Sequence, residues 1–205
     1  MGGTVLKTRV PQQKRGIKTR NRIIAAARIL FSRDGYHGTN AKEIAAKAGV
    51  SVGSFYAYFK DKKELFMALT HGHMKQEILS MLDRIKELPS EKVGKKETVR
   101  HMIQVIANTH DQSPELYREI EALKYSDADI LALHDEINAY FNEQFISFLE
   151  MFEDRLRITD VRAAARVIAG SVEETIHSLR LFDSPISEKR MIDALADMIH
   201  RYLFK

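Results

Sequence analysis

Residues 40–60 read NAKEIAAKAGVSVGSFYAYFK, and the helix starts and stops inside this stretch decide the fold. Asn40 stands three residues before Glu43, the spacing at which two side chains reciprocally satisfy orphan backbone donors in a capping box. Ile44, Ala45 and Ala48 then supply a short apolar stripe. Gly49 is placed to end it in the left-handed region, which a residue without Cβ enters cheaply. Ser51 is a second N-cap, and Val52, Phe55 and Phe59 recur at helical spacing along the inner side of a further helix. Two short helices joined by a tight glycine turn, with an apolar seam and an exposed outer face on the second, predict a helix-turn-helix.

Working outward, Ile23, Ile24, Ala27, Leu30 and Phe31 predict a first helix over about 18–34, with Gly35 as its terminating residue. Asp61-Lys62-Lys63-Glu64 is another capping box. It opens a long fourth helix with Leu65, Phe66, Leu69, Ile78, Leu82 and Ile85 inside, which Pro89-Ser90 closes. Later helices are expected over about 97–111, 114–124, 127–157, 159–182 and 187–204, Pro114 marking a fresh start. The longest carries Ile130, His134, Ile137, Phe141, Phe145, Phe148 and Phe152 on one face. With only 4 prolines and 10 glycines in 205 residues, the class expected is all-α.

The net charge of +4 is unevenly distributed. Residues 1–63 hold fourteen basic against three acidic side chains, a charge of +11, whereas residues 64–205 hold 18 basic and 25 acidic, a charge of −7. A basic head on an acidic body points to a polyanion partner, the alternative being a basic tail that touches nothing specific. The chain lacks cysteine, which removes disulfides, thiol catalysis and zinc ribbons and agrees with a reducing cytoplasm. No stretch reaches the about 20 apolar residues of a membrane span, so no membrane partner is expected, and the first residues read neither as a secretory signal nor as a myristoylation site.

An enzymatic reading finds no phosphate-binding glycine loop, H-E-x-x-H or G-x-S-x-G. Glu174 and His177 make one E-x-x-H step, but di-iron bundles need a second step and two more glutamates. His71 and His73 offer at most weak ligation. The expectation is therefore a non-enzyme without metal or cofactor.

The stretch from Arg20 to Leu69 closely resembles the N-terminal DNA-binding domain of the TetR family of bacterial transcriptional regulators. Gly35, Thr39, Ile44, Ala45, Gly49, Val50, Ser51, Phe55, Tyr56, Phe59, Lys60, Lys63 and Leu65 stand in register, over about a quarter of the chain. The resemblance implies a flexible basic arm over 1–17, a DNA-binding domain over 18–63 and an effector-binding and dimerisation domain over 64–205. The third helix would enter the major groove, presenting Val52, Gly53, Ser54, Tyr56, Ala57 and Tyr58, with Lys42 the expected base reader. Thr39, Ser51, Tyr56, Tyr58 and Lys60 match the family's phosphate-contacting positions. Tyr56 and Tyr58 can also be packing residues, and the arm has two readings, minor-groove insertion or a solvated tail.

For the body, the resemblance implies a small-molecule pocket walled by Met102, Ile103, Ile106, Tyr117, Leu123, Ile137, Phe141, Phe145 and Phe148, with His134, His101 and His110 as polar candidates. Filling an ordinary core is the competing role for these aromatics. A dimer interface is implied on the last two helices, at Ala165, Ile168, Val172 and Ile176 with Leu195, Met198, Ile199 and Tyr202. The function implied is a dimeric regulator, most often a repressor, which binds a palindromic operator in double-stranded DNA and is released by a small apolar effector. The alternative is a helical interaction or small-molecule-binding module with a non-specific polyanion-binding head.

Overall fold

A computed structural model describes residues 14–87, 91, 95–110, 114–182 and 184–205. The basic arm up to residue 13, the helix closure expected at Pro89-Ser90, and the side chains of Ile85 and His110 lie outside the described residues. Among those described there are nine α-helices and no strand. They form two compact units: the described part of Met1–Lys75 together with Glu115–Asp135, and Gln76–Pro114 together with Glu136–Lys205.

In the first unit, α1 (Lys14–Gly38) is helical from the first described residue, ahead of the start expected at about 18, and Gly35, at φ 71° and ψ 171°, breaks it where a terminating residue was expected. Helix α2 (Ala41–Ala48) is capped by Asn40, whose Oδ1 accepts the Glu43 N–H at 3.0 Å. Gly49 ends it in the left-handed region, at φ 64° and ψ 41°. The N–H groups of Gly49 and Val50 then close on the carbonyls of Ala46 and Ala45, both at 3.0 Å. Arg22 of α1 satisfies two more carbonyls, those of Ala48 at 2.5 Å and Gly49 at 3.1 Å.

Ser51 caps α3 (Val52–Tyr58), which buries Phe55 and leaves Val52 exposed, so Val52 belongs to the outer face and not to the inner side expected for it. Phe59, just after α3, is also fully buried, and each such phenylalanine contributes about 1.5–3 kcal/mol relative to exposure. Helix α4 (Lys62–Lys86) starts with the Asp61 carboxylate accepting the Glu64 N–H at 2.7 Å, and Glu64 accepts the Lys60 N–H in return. Phe31 of α1 meets Phe66 of α4 edge-on, 5.3 Å between centroids.

The same unit takes in most of α6 (Pro114–Lys124) and the start of α7 (Ala128–Glu150). Asp127 caps α7 by accepting the N–H groups of Asp129 and Ile130. Lys63 joins the first turn of α4 to this cap, at 2.7 Å from Asp127 and 2.5 Å from Asp129. These two carboxylates push the Lys63 ammonium up to about 12, and Lys63 holds Asp127 below its ordinary value.

In the second unit, α5 (Lys96–His110) packs against α8 (Val161–Arg180) and α9 (Glu188–Leu203). Val99, Ile103 and Ala107 of α5 share a core with Ala165, Ile168 and Val172 of α8 and with Leu195 and Ile199 of α9. Ion pairs flank it, Lys96 with Asp197 and Arg100 with Asp193, both at 2.6 Å. The helix expected to reach residue 157 stops at Glu150; a 3-10 turn over Glu153–Arg155 follows. The competing force is pairing with the chain end. Buried Leu156 forms an antiparallel bridge with Phe204, and the Arg157 N–H donates to the Leu203 carbonyl at 2.7 Å.

A Cβ at position 49 would lie 2.6 Å from the Arg22 guanidinium on a backbone that side chains rarely adopt. Gly49→Ala is expected to destabilise the protein by about 1–2 kcal/mol, read as a lowered midpoint in thermal melts. The Lys63–Asp127 pair also has a pH signature. Its Asp127 contribution is complete above the unfolded value near about 4 and is lost as pH falls through the depressed folded value, while the Lys63 contribution is lost only as pH rises towards about 12. The melting-point gap between wild type and Lys63→Met should therefore stay constant from about pH 5 to 9 and narrow below about pH 4.

Candidate nucleic-acid interface

Helix α3 has the two unlike sides that a groove-reading helix requires. Phe55 is buried, while Val52, Gly53, Tyr56 and Ala57 are exposed, Tyr56 at 54%. The Tyr56 ring rests edge-on against Phe55 at 5.2 Å, so packing orders its base and leaves more than half of the residue in solvent. Tyr58 is half-buried. Ser51 Oγ accepts the Ser54 N–H at 3.0 Å and shares a hydrogen bond with Ser54 Oγ at 2.9 Å. Both hydroxyls are thus organised by the cap, each with lone-pair capacity to spare.

Lys42 and Lys60 are exposed, at the second position of α2 and between α3 and α4. Thr39 differs from the expectation of a phosphate contact. It is 1% exposed, and its hydroxyl donates to the Gly35 carbonyl at 2.8 Å, fastening the corner between α1 and α2 from inside. The residue type at position 39 matched; the burial that redirects its hydroxyl arises from tertiary packing.

The residues that hold this surface in place were mostly missed by sequence reasoning. Arg22, which carries no local motif, closes the end of α2. Lys62, read as part of a cap, donates to the carbonyls of Tyr36 at 2.6 Å and Thr39 at 2.8 Å and lies 4.2 Å from the Tyr36 ring centre. Burial pushes its ammonium below the ordinary lysine value, with Glu119 opposing. Glu119 accepts the Tyr36 N–H at 3.0 Å across 83 positions of sequence, a separation at which no local pattern signals a partner.

The effector-pocket candidates fall in both units. Tyr117 and His134 belong to the first; Tyr117 lies 6.2 Å from the His73 ring, and buried His134 lies 3.9 Å from Glu121. Met102, Ile106, Phe141 and Phe148 belong to the second, packed half-buried around Leu82 and Val105. Phe145 stacks on Phe141 at 6.3 Å between centroids, and Ile137 is buried.

The interface candidates divide differently. Ala165, Ile168, Val172, Ile176, Leu195 and Ile199 are buried in the chain's own core and are out of reach of a partner, whereas Met198 and Tyr202 are exposed. The α8 stripe through Ala165, Ile168 and Val172 packs inward against α5 and α9. On a second face of α8, Ala163, Val167 and Gly170 are exposed, as are Ala194, Met198 and Tyr202 of α9.

Residues 23–69 match the domain of bacterial regulatory proteins of the tetR family, and residues 96–203 match the Tetracyclin repressor-like C-terminal domain. A fatty acid metabolism regulator protein of Bacillus subtilis is 29% identical over 161 residues, 75% of this chain and 79% of the relative. Among solved structures, one from Mesorhizobium loti described as a TetR-family transcriptional regulator superposes with a TM-score of 0.76 at 22% identity, covering 94% of this chain and 100% of its own. The transcriptional regulator FadR of B. subtilis, in complex with stearoyl-CoA, gives 0.65 at 24% identity over 88% of this chain and 95% of its own. With both halves matched, and a helix-turn-helix whose outer face is solvent-exposed, the chain belongs to the TetR family of bacterial transcriptional regulators.

Proposed function

We propose that this regulator is a cytoplasmic, dimeric repressor whose two heads read a palindromic operator and whose body binds a long-chain acyl-CoA that releases it. The observation that carries the DNA reading is α3 itself, with Phe55 locking one side into the head and Val52, Gly53, Tyr56 and Ala57 exposed on the other. Gly53 lets the backbone approach the duplex, Val52 and Ala57 suit thymine methyls, and Ser54 can donate or accept. In this reading Lys42 reads guanine acceptors, and Tyr56, Tyr58, Lys60 and Ser51 hold phosphates. Thr39 shapes the corner instead. The division of labour is an arm over 1–17, a DNA-binding domain over 18–63 and an effector and dimer domain over 64–205. Among the described residues no helix is long and apolar enough to cross a membrane.

The acyl-CoA assignment rests on the relative that regulates fatty acid metabolism, on the stearoyl-CoA complex of a protein with this fold, and on the apolar residues around Phe141, Phe145 and Phe148. Release is linkage: effector and operator each weaken the other by the same factor, about 5–150-fold for a coupling of about 1–3 kcal/mol. DNA selection separates sequence-specific binding from attraction by charge alone.

Selection of bound duplexes from a random pool should enrich one palindrome, and both Tyr58→Ala and Lys60→Ala should lose it. Affinity for that duplex should fall by about 10³–10⁵-fold from about 50 to 200 mM salt if the dimer neutralises about six to ten phosphates. Enrichment without a motif would reduce the head to a charge binder; release of the duplex by stearoyl-CoA, followed by fluorescence anisotropy, tests the effector class. For the dimer, the exposed face around Val167, Met198 and Tyr202 is the surface proposed to pack across a two-fold axis, Gly170 and Ala194 permitting close helix approach. Val167→Glu and Met198→Glu should sediment as monomers and lose operator binding. Variants that still sediment as dimers would exclude this face.

A further inference from the structure

Among the described lysines and arginines of the first unit that are half-buried or buried, Lys62, Lys63 and Lys124 each hold an oxygen within 2.8 Å. Arg20 of α1 is the exception. It is half-buried, its guanidinium lies over the Phe59 ring at 5.2 Å, and its buried Nε has no hydrogen-bond partner among the described residues. Burial pushes this guanidinium below the ordinary arginine value, with Glu64 opposing. The Glu64 carboxylate stays on the Lys60 N–H, so it attracts Arg20 without pairing with its Nε.

The ring beneath Arg20 fixes what its donors can meet. Phe59 is the fully buried residue that ends α3, and exposed Lys60 follows it. The guanidinium therefore lies at the end of the helix whose outer face carries Val52, Gly53, Tyr56 and Ala57, beside a position that matches a phosphate contact. A helix seated in a major groove has the sugar-phosphate backbone passing close to it, and most contacts of such heads go to phosphates. Phosphate oxygens accept two N–H donors of one guanidinium at once. Stacking on a ring holds the planar fork in advance and removes part of its water, so an arriving phosphate has less to displace.

We propose that Arg20 is a phosphate clamp of the DNA-binding head, held over Phe59 so that Nε and its neighbouring N–H groups take a backbone phosphate beside the one met by Lys60. It sets the register of α3 on the duplex and reads no base. The inference rests on the DNA-binding reading above, but on neither an effector nor a palindrome, since every duplex sequence carries the same phosphates.

Duplex affinity of the full-length protein is measured from about 50 to 200 mM salt for wild type, for Arg20→Met, which keeps an apolar cover on Phe59, and for Arg20→Lys, which keeps the charge. Each phosphate contact contributes about 0.9 to the slope of log affinity against log salt, so Arg20→Met should reduce that slope by about 0.9 for each head engaged, about 1.8 for a two-headed complex. In a two-headed complex its deficit should then be about twelvefold larger at the low end of this salt range than at the high end. Arg20→Lys should keep the wild-type slope and lose affinity alike on every sequence, because an ammonium cannot make the paired contact. A weakened Arg20→Met that keeps the wild-type slope would mean that Arg20 only supports the fold, and would overturn the clamp; wild-type affinity in Arg20→Met would do the same. If no motif is enriched, the sequence-reading function fails, and the slope measured on random duplex still decides the clamp. A wild type that binds no duplex at any salt overturns both. Arg20→Gln carries the test if Arg20→Met does not fold.

Discussion

Helix α2 has to end within a single residue, and the geometry of the DNA-binding head depends on that ending. A helix terminus leaves four carbonyls unsatisfied, and here only three residues separate α2 from the next helix, too few for a loop to supply partners. Gly49 resolves part of the problem by entering the left-handed region and returning two N–H groups to Ala45 and Ala46. Arg22 adds two more hydrogen bonds from another helix, to the carbonyls of Ala48 and Gly49, because its planar guanidinium can serve two carbonyls at once. With the turn fixed in this way, Phe55 and Phe59 fall inward and the outer side of α3 is left in solvent.

The devices legible in the sequence are those whose partners lie within four residues. Asn40, Ser51 and Asp61 cap the helices they were expected to cap, and Gly35 and Gly49 break the chain where their neighbours stop being periodic. Thr39 was legible as a residue type but not as a buried one. Lys62, Lys63 and Glu119 were not legible, since a lysine that follows a capping aspartate has the same local pattern whether it points to water or to a carboxylate more than sixty positions away. The end of α7 failed for a related reason: residues 151–157 continue a helical pattern, and only pairing with Phe204, far along the chain, converts Leu156 to extended backbone.

Helices α8 and α9 show how periodicity alone misassigns a surface. Both carry apolar residues over more than one face, so any stripe at three- and four-residue spacing qualifies as an interface. The stripe through Ala165, Ile168 and Val172 is consumed by α5, whose Val99, Ile103 and Ala107 share its core. What remains outward on α8 is a narrower band of small residues around Val167, and on α9 Met198 and Tyr202. Charge complements this division: Asp193 and Asp197 bind α9 to Arg100 and Lys96 of α5, so the orientation of α9 about its axis is set by ion pairs as well as by packing.

The first compact unit is discontinuous in sequence, and this bears on how the protein is made. A nascent chain that has emerged up to Lys75 holds α1, α2, α3 and the start of α4, but it lacks the carboxylates that Tyr36 and Lys63 meet in the finished protein. Those residues emerge only after some forty further positions, a delay on the order of several seconds at ordinary elongation rates of about 5–20 residues per second. During that interval the Tyr36 N–H and the Lys63 ammonium are without Glu119, Asp127 and Asp129, so the last contacts of this unit form only once those residues have joined the chain.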